Sequence, residues 1–284
     1  MVKNRKVALV DALVEREMRY VLGLDLGRKS TYAALCVLAL APEYVRRREV
    51  YRLKCDIVLD ELGDTLLAYE RLDELRRRQR PRPAFVIQHS ERIPLGTRYH
   101  DVARYVRTMI EDDRLAGRIN LCVDAGGVGD VVAVELVEVG LEGFVRVITG
   151  LHEGAKNTFY NQVVSKATLI GNLEVAFQNG QIRFNPDVPY ADAFTRELEA
   201  FQYHVTPAGN ETYRTLSGEY DDLISSAALA NYLFLDLERY EGDGGDNEDL
   251  VGINRDLPFQ PLHEGEFFRL KDTDILGGYE DHLY

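Results

Sequence analysis

Apolar residues at Val7, Val10, Leu13 and Val14 recur at helical spacing and predict a helix over residues 4–19. The run YVLGLDLG (20–27) is short, apolar and ended by glycine, the pattern of a buried strand. TYAALCVLAL (31–40) and EVYRLKCDIVL (49–59) predict a second and a third strand, and the hairpin-length gaps between them suggest an antiparallel meander. Residues 61–79 are highly charged and helical in pattern, and AFVIQ (84–88) reads as a short strand. Residues 97–117 predict a helix, with Val102, Tyr105, Val106, Met109 and Ile110 on one stripe and Gly117 as its stop.

The second half alternates. Strands are expected at 119–127 (ending in a turn), 144–151 and 181–184, and helices at 128–140, 165–180, 192–202 and 219–240. Residues 203–216 suggest a hairpin turned at Ala208-Gly209-Asn210. Strands 20–26, 119–125 and 144–150 must supply the parallel part. Antiparallel strands followed by alternating helix and strand predict an α/β fold, a mixed sheet of five or more strands with helices on both faces. The expected organisation is a helix or linker over 1–19, a sheet domain over 20–240 and an acidic tail over 241–284.

Composition narrows the class. At 45% hydrophobic and 29% charged over 284 residues, the chain can bury a core without staples. No apolar run approaches the ~20 residues of a membrane helix, and the start shows no secretory signal. The three cysteines (Cys36, Cys55, Cys122) have no CxxC spacing and read as reduced thiols, two of them within apolar runs. The six histidines form no HxxxH or HExxH pattern, so a zinc site of Cys and His is not expected. Net charge is −13, of which −9 lies in residues 241–284. Bulk charge therefore does not suggest nucleic-acid binding. The basic runs Arg46-Arg47-Arg48 and Arg76-Arg77-Arg78 read as solvated faces.

Candidate chemistry resides in acids. Asp25 closes an apolar strand, where a carboxylate must be paired, exposed at the tip or bound to a cation. Asp124 repeats this at the end of LCVD, before Ala125-Gly126-Gly127. Open α/β sheets carry ligand sites at the carboxyl ends of parallel strands. If the two strands are neighbours, about 4.8 Å apart, their tip carboxylates could share metal ions. Alternation puts Gly23 on the face of Asp25 and Cys122 on that of Asp124, small neighbours expected to leave room beside each acid. Asp221-Asp222, at the start of the last helix, suit an N-terminal cap and complement the helix dipole. Together the four form a constellation of hard oxygen ligands suited to Mg²⁺ or Mn²⁺. The helical angle favours Asp221 pointing coreward, since Ile224 and Ala228 share its stripe, without settling the choice. GLDLGRKST (23–31) is not a phosphate loop: its spacing is GxxxGRKS and a strand is expected to follow it.

VLGLDLGRKSTYAAL (21–35), HSERIPLGTRYHDVARYV (89–106), LCVDAGGVGDVVAVEL (121–136), SKATLIGNLEVAFQNGQIRF (165–184), RELEAFQYH (196–204) and GEYDDLISSAALA (218–230) occur in that order. In this the chain resembles the nuclease domain of the large terminases, the DNA-packaging proteins of tailed phages, over residues 20–240. Tyr220 stands where that family often has His. The resemblance implies a ribonuclease H-like fold and a two-metal endonuclease with two Mg²⁺ or Mn²⁺ ions. It implies Asp25 and Asp124 as metal ligands from adjacent strands, with Asp221 or Asp222 supplying the third. It implies close approach of DNA phosphate or metal-bound water at Gly126, Gly127 and Gly129. Arg28 and Lys29 are then the best-placed DNA contacts, with Arg92, Arg98 and Lys166 behind them. Implied partners are double-stranded DNA, an ATPase domain or motor subunit, portal and small terminase, in the cytoplasm of an infected host cell. No ATPase motif occurs in the sequence, so an excised domain or a free-standing homologue is expected.

Three other functions fit parts of the pattern. A junction resolvase of the same fold would share nearly every feature. An actin-like or sugar-kinase ATP-binding module would need a second Asp-Gly phosphate hairpin, and GVGD (127–130) runs straight into a helix. A non-catalytic packaging module would not need all the acids. The tail, with Leu257, Phe259, Phe267, Phe268 and Leu270 as apolar anchors, is expected to dock on the body and repel DNA near the cleft.

Overall fold

The computed structural model describes residues 17–27, 31–63, 65–126, 129–141, 143–150, 161–185, 187–205, 211–215 and 220–242. Residues 4–16 of the expected helix, Arg28, Lys29, Gly127 and nearly all of the acidic tail lie outside the described residues.

Seven strands form one mixed sheet: β1 (Tyr20–Asp25), β2 (Ala33–Leu40), β3 (Phe85–Ile93), β4 (Ile119–Asp124), β5 (Val145–Gly150), β6 (Asn161–Ser165) and β7 (Ile182–Phe184). The spatial order is β6-β5-β4-β1-β2-β3-β7. β1, β2 and β3 pair antiparallel, and β4, β5 and β6 continue parallel to β1 on its other side. This is a mixed α/β arrangement, with helices packed on both faces of the sheet. The expected parallel trio holds, and β6 and β7 extend it, β7 parallel to β3. A separate hairpin pairs β8 (Phe201–Val205) with β9 (Glu211–Thr215), as the sequence suggests.

Alternation along the strands feeds two cores. Tyr20, Leu22 and Leu24 of β1 pack with α3 (Tyr99–Ile110) and α4 (Gly129–Glu138) through Val102, Val106, Met109, Val132 and Leu136. Val21 of β1, Cys36 of β2 and Cys122 of β4 face the other way. They join α5 (Lys166–Gln178), α6 (Ala191–Ala200) and α7 (Asp222–Gly242) through Leu169, Leu173, Phe194, Ile224 and Leu233. Cys36 and Cys122 are free and buried, and burial pushes both thiols up, so they are packing groups.

One expected strand is a helix. Residues 49–59 belong to α1 (Pro42–Leu62), which continues into α2 (Leu66–Gln79) as a helical arm between β2 and β3. The alternation of Tyr51, Leu53, Cys55, Ile57 and Leu59 imitates a half-buried strand. On the helix Leu53 and Ile57 are more than half exposed, so the alternation does not report a buried face. Pro42 stands in the first turn of α1, and Gly63 ends it at φ 61°, returning its N–H to the Leu59 carbonyl at 2.8 Å. The place of the third meander strand falls to β3, which runs to Ile93, beyond the expected end at residue 88.

Candidate metal centre

The register of the sheet assembles the acids. Gly23 pairs with Cys122 and Leu24 with Val123, so Asp25 and Asp124 close neighbouring parallel strands at the same end. α7 runs back along β1 from that end. Its start lies beside the acids, and Phe234 stacks on Phe85, the first residue of β3, with ring centroids 5.0 Å apart.

Gly23 makes this approach possible. A Cβ there would collide with the Ser226 carbonyl and sit 2.8 Å from the Ala230 nitrogen. The small neighbour of Asp25 therefore does not leave an open space, as expected from sequence. The helix backbone fills it, and that contact brings the Asp221-Asp222 turn to the strand tips.

Around Asp25 the negative charges of Asp124, Asp222 and Asp221 outnumber the one positive charge of Lys166. Desolvation, then the charges of Asp124 and Asp222, hold its carboxyl well above the usual carboxylate range, against the pull of Lys166. Desolvation also raises Asp124, opposed by the Gly126 N–H donated to its Oδ1 at 2.7 Å and by the Thr149 hydroxyl at 3.3 Å from Oδ2. Gly126 is small for this reason: a Cβ there would stand 2.9 Å from Asp124 Oδ1. Thr149, on β5, carried no signal in the sequence beyond its place near the end of a parallel strand.

The choice between the paired acids falls opposite to the helical-angle expectation. Asp222 is the buried one, 5% exposed, and Asp221 is half-buried. The Ser225 N–H bonds the Asp221 carbonyl at 2.9 Å, so Asp221 is the cap residue and Asp222 the first helical one. The coreward stripe therefore starts at Asp222 and continues through the buried Ser226 and Leu229. Desolvation, with Asp221 next, pushes the Asp222 carboxyl up to about 6. Its Oδ2 is buried with no hydrogen-bond partner. Asp221 instead accepts from Lys166 Nζ at 2.5 Å. Lys166, expected among the weaker DNA contacts, thus stands inside the acidic group.

Arg92 also departs from expectation. It pairs in register with Ala34, which pairs with Asp25, so the three share one face. Its guanidinium lies over Tyr32 (5.2 Å) and Tyr220 (4.8 Å) and forms an ion pair with the buried Glu197 of α6. It is committed to the protein and is not a free backbone grip. Desolvation raises Glu197 to about 7, against the Ile224 N–H it accepts and against Arg92. Arg98 is exposed at the start of α3.

A buried carboxylate oxygen without a partner, beside acids whose charges raise one another, is an arrangement a hard divalent cation would complete. The donor set is oxygen only, which suits Mg²⁺ or Mn²⁺. Among the described residues, the three side chains whose ligand atoms all lie within 4.8 Å of one another are His100, Glu135 and Glu138, on the α3–α4 surface. The strand-tip acids are more widely spread than that.

No family model matches the sequence. The chain is similar to the large terminase subunits of Thermus phage G20c and Thermus virus P23-45, each 27% identical over 180 residues. Those matches cover 63% of this chain and 31% of each relative's length. Among solved structures, the large terminase nuclease from phage G20c aligns at TM-score 0.45 and 20% identity, covering 76% of this chain and 82% of that one. The terminase nuclease domain of human cytomegalovirus aligns at TM-score 0.43 and 12% identity, over 78% and 86%.

Proposed function

We propose that the chain is a metal-dependent DNA endonuclease of the large-terminase kind, cutting concatemeric viral DNA during genome packaging. The observation that carries this reading is the convergence of Asp25, Asp124 and Asp222 from two strand ends and a helix start, with Asp222 Oδ2 buried and unpartnered. Asp25, Asp124 and Asp222 would hold two Mg²⁺ or Mn²⁺ ions, with Asp221 at the margin. Bound, such ions activate water, neutralise the scissile phosphate and stabilise the leaving 3′ oxygen.

The chain's own residues prepare that chemistry. Gly126 and Thr149 orient the Asp124 carboxylate through hydrogen bonds. Lys166 offsets part of the negative field through Asp221 and is proposed to meet the DNA backbone. Arg28, Lys29, Gly126 and Gly127 are proposed to meet the DNA backbone. Double-stranded DNA is the proposed substrate, and an ATPase motor, portal and small terminase the proposed partners, within the infected cell's cytoplasm. Among the described residues no helix is long and apolar enough to cross a membrane.

Nicking of supercoiled plasmid tests the reading. The chain is expected to nick and linearise DNA with Mg²⁺ or Mn²⁺ and to be silent with EDTA. Absence of cleavage with either metal at any protein concentration would reject it. Preference for a four-way junction over linear duplex would transfer the site to a resolvase.

A further inference from the structure

An aspartate at a helix N-cap ordinarily spends its carboxylate on the N–H of the second or third helical residue. In α7 that duty is performed elsewhere. Asp221 is the cap residue by backbone bonding, and Ile224 is the third helical residue. The Ile224 N–H donates not to Asp221 but to Glu197 Oε2, at 3.0 Å, from α6. Glu197 is 1% exposed and 27 residues away in sequence. Its other oxygen pairs with Arg92, 105 residues away, whose guanidinium is stacked on Tyr32 and on Tyr220, the residue before Asp221. The Tyr32 and Tyr220 rings also meet edge to face at 5.1 Å.

We infer that Glu197 is a positioning residue: it caps α7 in place of Asp221, leaving Asp221 to Lys166 and holding the turn that presents Asp222 to a cation. Arg92 anchors Glu197, and Tyr32 and Tyr220, the latter immediately before the turn, hold Arg92 between them. Without Glu197, the acceptor that an N-cap aspartate ordinarily offers to the third helical N–H is the Asp221 carboxylate. Its local capping bond would pull Asp221 from Lys166 and rotate the turn that carries Asp222. The inference rests on the metal-centre reading of Asp25, Asp124 and Asp222, and its consequence is a change in cation affinity.

Mn²⁺ binding by calorimetry and plasmid cleavage across a Mn²⁺ titration, on the full chain, test it together. Glu197→Ala, which removes the acceptor, is expected to weaken Mn²⁺ binding about tenfold or more, and cleavage recovers in part at high Mn²⁺. Glu197→Gln keeps an acceptor for the Ile224 N–H and is expected to stay within about threefold of wild type. Exposed Glu199→Ala is the control and leaves Mn²⁺ affinity unchanged. Circular dichroism reports folding. If Glu197→Ala does not fold, Glu197→Asp replaces it: the charge remains, the acceptor retreats by one methylene, and the same weakening is expected. A folded Glu197→Ala or Glu197→Asp with wild-type Mn²⁺ affinity overturns the inference, as does Glu197→Gln binding as weakly as the alanine variant. Calorimetry separates the two readings. If wild type binds Mn²⁺ with this variant order but cuts no DNA, the positioning role stands and the nuclease reading falls. If wild type cuts DNA and the variants bind alike, the reverse holds.

Discussion

The carboxyl end of the sheet and the helical arm of α1 and α2 are both dense in charge, but they treat it in opposite ways. On the arm, charges are matched within a turn: Arg52 with Glu49 at 3.1 Å, Arg77 with Asp73 at 3.0 Å, Arg78 with Glu74 at 3.1 Å. Even Arg48, which is buried, lies 3.5 Å from Glu49. At the sheet end, Asp25, Asp124 and Asp222 raise one another or sit desolvated, with Lys166 as a partial offset. Ion pairs on an exposed helix contribute a few tenths of a kcal/mol each and matter little to the fold. Unmatched, half-buried acids destabilise a fold, so their presence asks for a cation that arrives later. The difference shows why a net charge of −13 is uninformative about function: what matters is where charge goes unpaired.

The largest test of that contrast is to neutralise one side of it. Asp25→Asn and Asp124→Asn are expected to lower metal-dependent cleavage by about three orders of magnitude, since a lost ligand removes several kcal/mol of charge stabilisation. The same variants should melt no lower than wild type in EDTA, because a repulsion has been removed. Asp73→Asn on the arm should leave the rate unchanged. Cleavage by purified Asp124→Asn at wild-type rate would dissolve the contrast.

Next is the contact that creates the site. Gly23→Ala forces β1 and α7 apart at Ser226 and Ala230. Overpacking of this kind costs about 1–3 kcal/mol, a fall in Tm of roughly 2–12 °C for a domain of this size. A cleavage loss larger than the loss of folded protein would show that the separation also displaces the Asp221-Asp222 turn. An unchanged melting curve would contradict the packing.

These two sites also mark what could be read from residues alone. Strand tips announce themselves: an acid after an apolar run, followed by glycine, locates Asp25 and Asp124 before any coordinates. That β1 and β4 are neighbours stays conditional on the residues alone and is implied by the family resemblance; the sheet register supplies it. Glu197 and Arg92 left no such trace, because their roles depend on contacts across 27 and 105 residues. The helical angle favours Asp221 without settling the choice; Asp221 is the cap residue, outside the helix, so an angle counted back from Ile224 and Ala228 does not apply to it. The arm was misread because exposed apolar residues obey no burial periodicity, and Tyr51 to Leu59 happened to alternate.

Acidity offers a finer measure. Asp222 and Glu197 keep protons in the folded chain up to about 6 and about 7. In an unfolded chain such groups release them near roughly pH 4. Between those limits the folded state binds more protons, so their contribution to stability is present at low pH and is lost as pH rises through about 6 to 7. In EDTA, the difference in Tm between Asp222→Asn and wild type should therefore widen from pH 5 to pH 8 in favour of the variant. Mn²⁺ at pH 8 should raise wild type and narrow the gap, since the cation replaces the proton. A gap that shrinks with rising pH in EDTA would reverse the sign and sink the account.

The smallest effects should come from the arm itself. Leu53 and Ile57 are 57% and 53% exposed, so polar replacement removes little buried surface. Arg77 loses only an exposed pair at position i,i+4. Leu53→Ser, Ile57→Ser and Arg77→Gln are each expected to shift stability by no more than about 0.5 kcal/mol. The sheet separates the arm from the chemistry: α1 starts after Leu40, at the end of β2 that pairs with the beginning of β1, whereas Asp25 pairs with Ala34 at the other end. Plasmid nicking by the three variants should accordingly match wild type at both low and moderate salt. If Arg77→Gln instead slowed nicking at moderate salt, the arm's matched charges would be part of the DNA path. The contrast between a passive arm and an active sheet end would then fail on the arm's side.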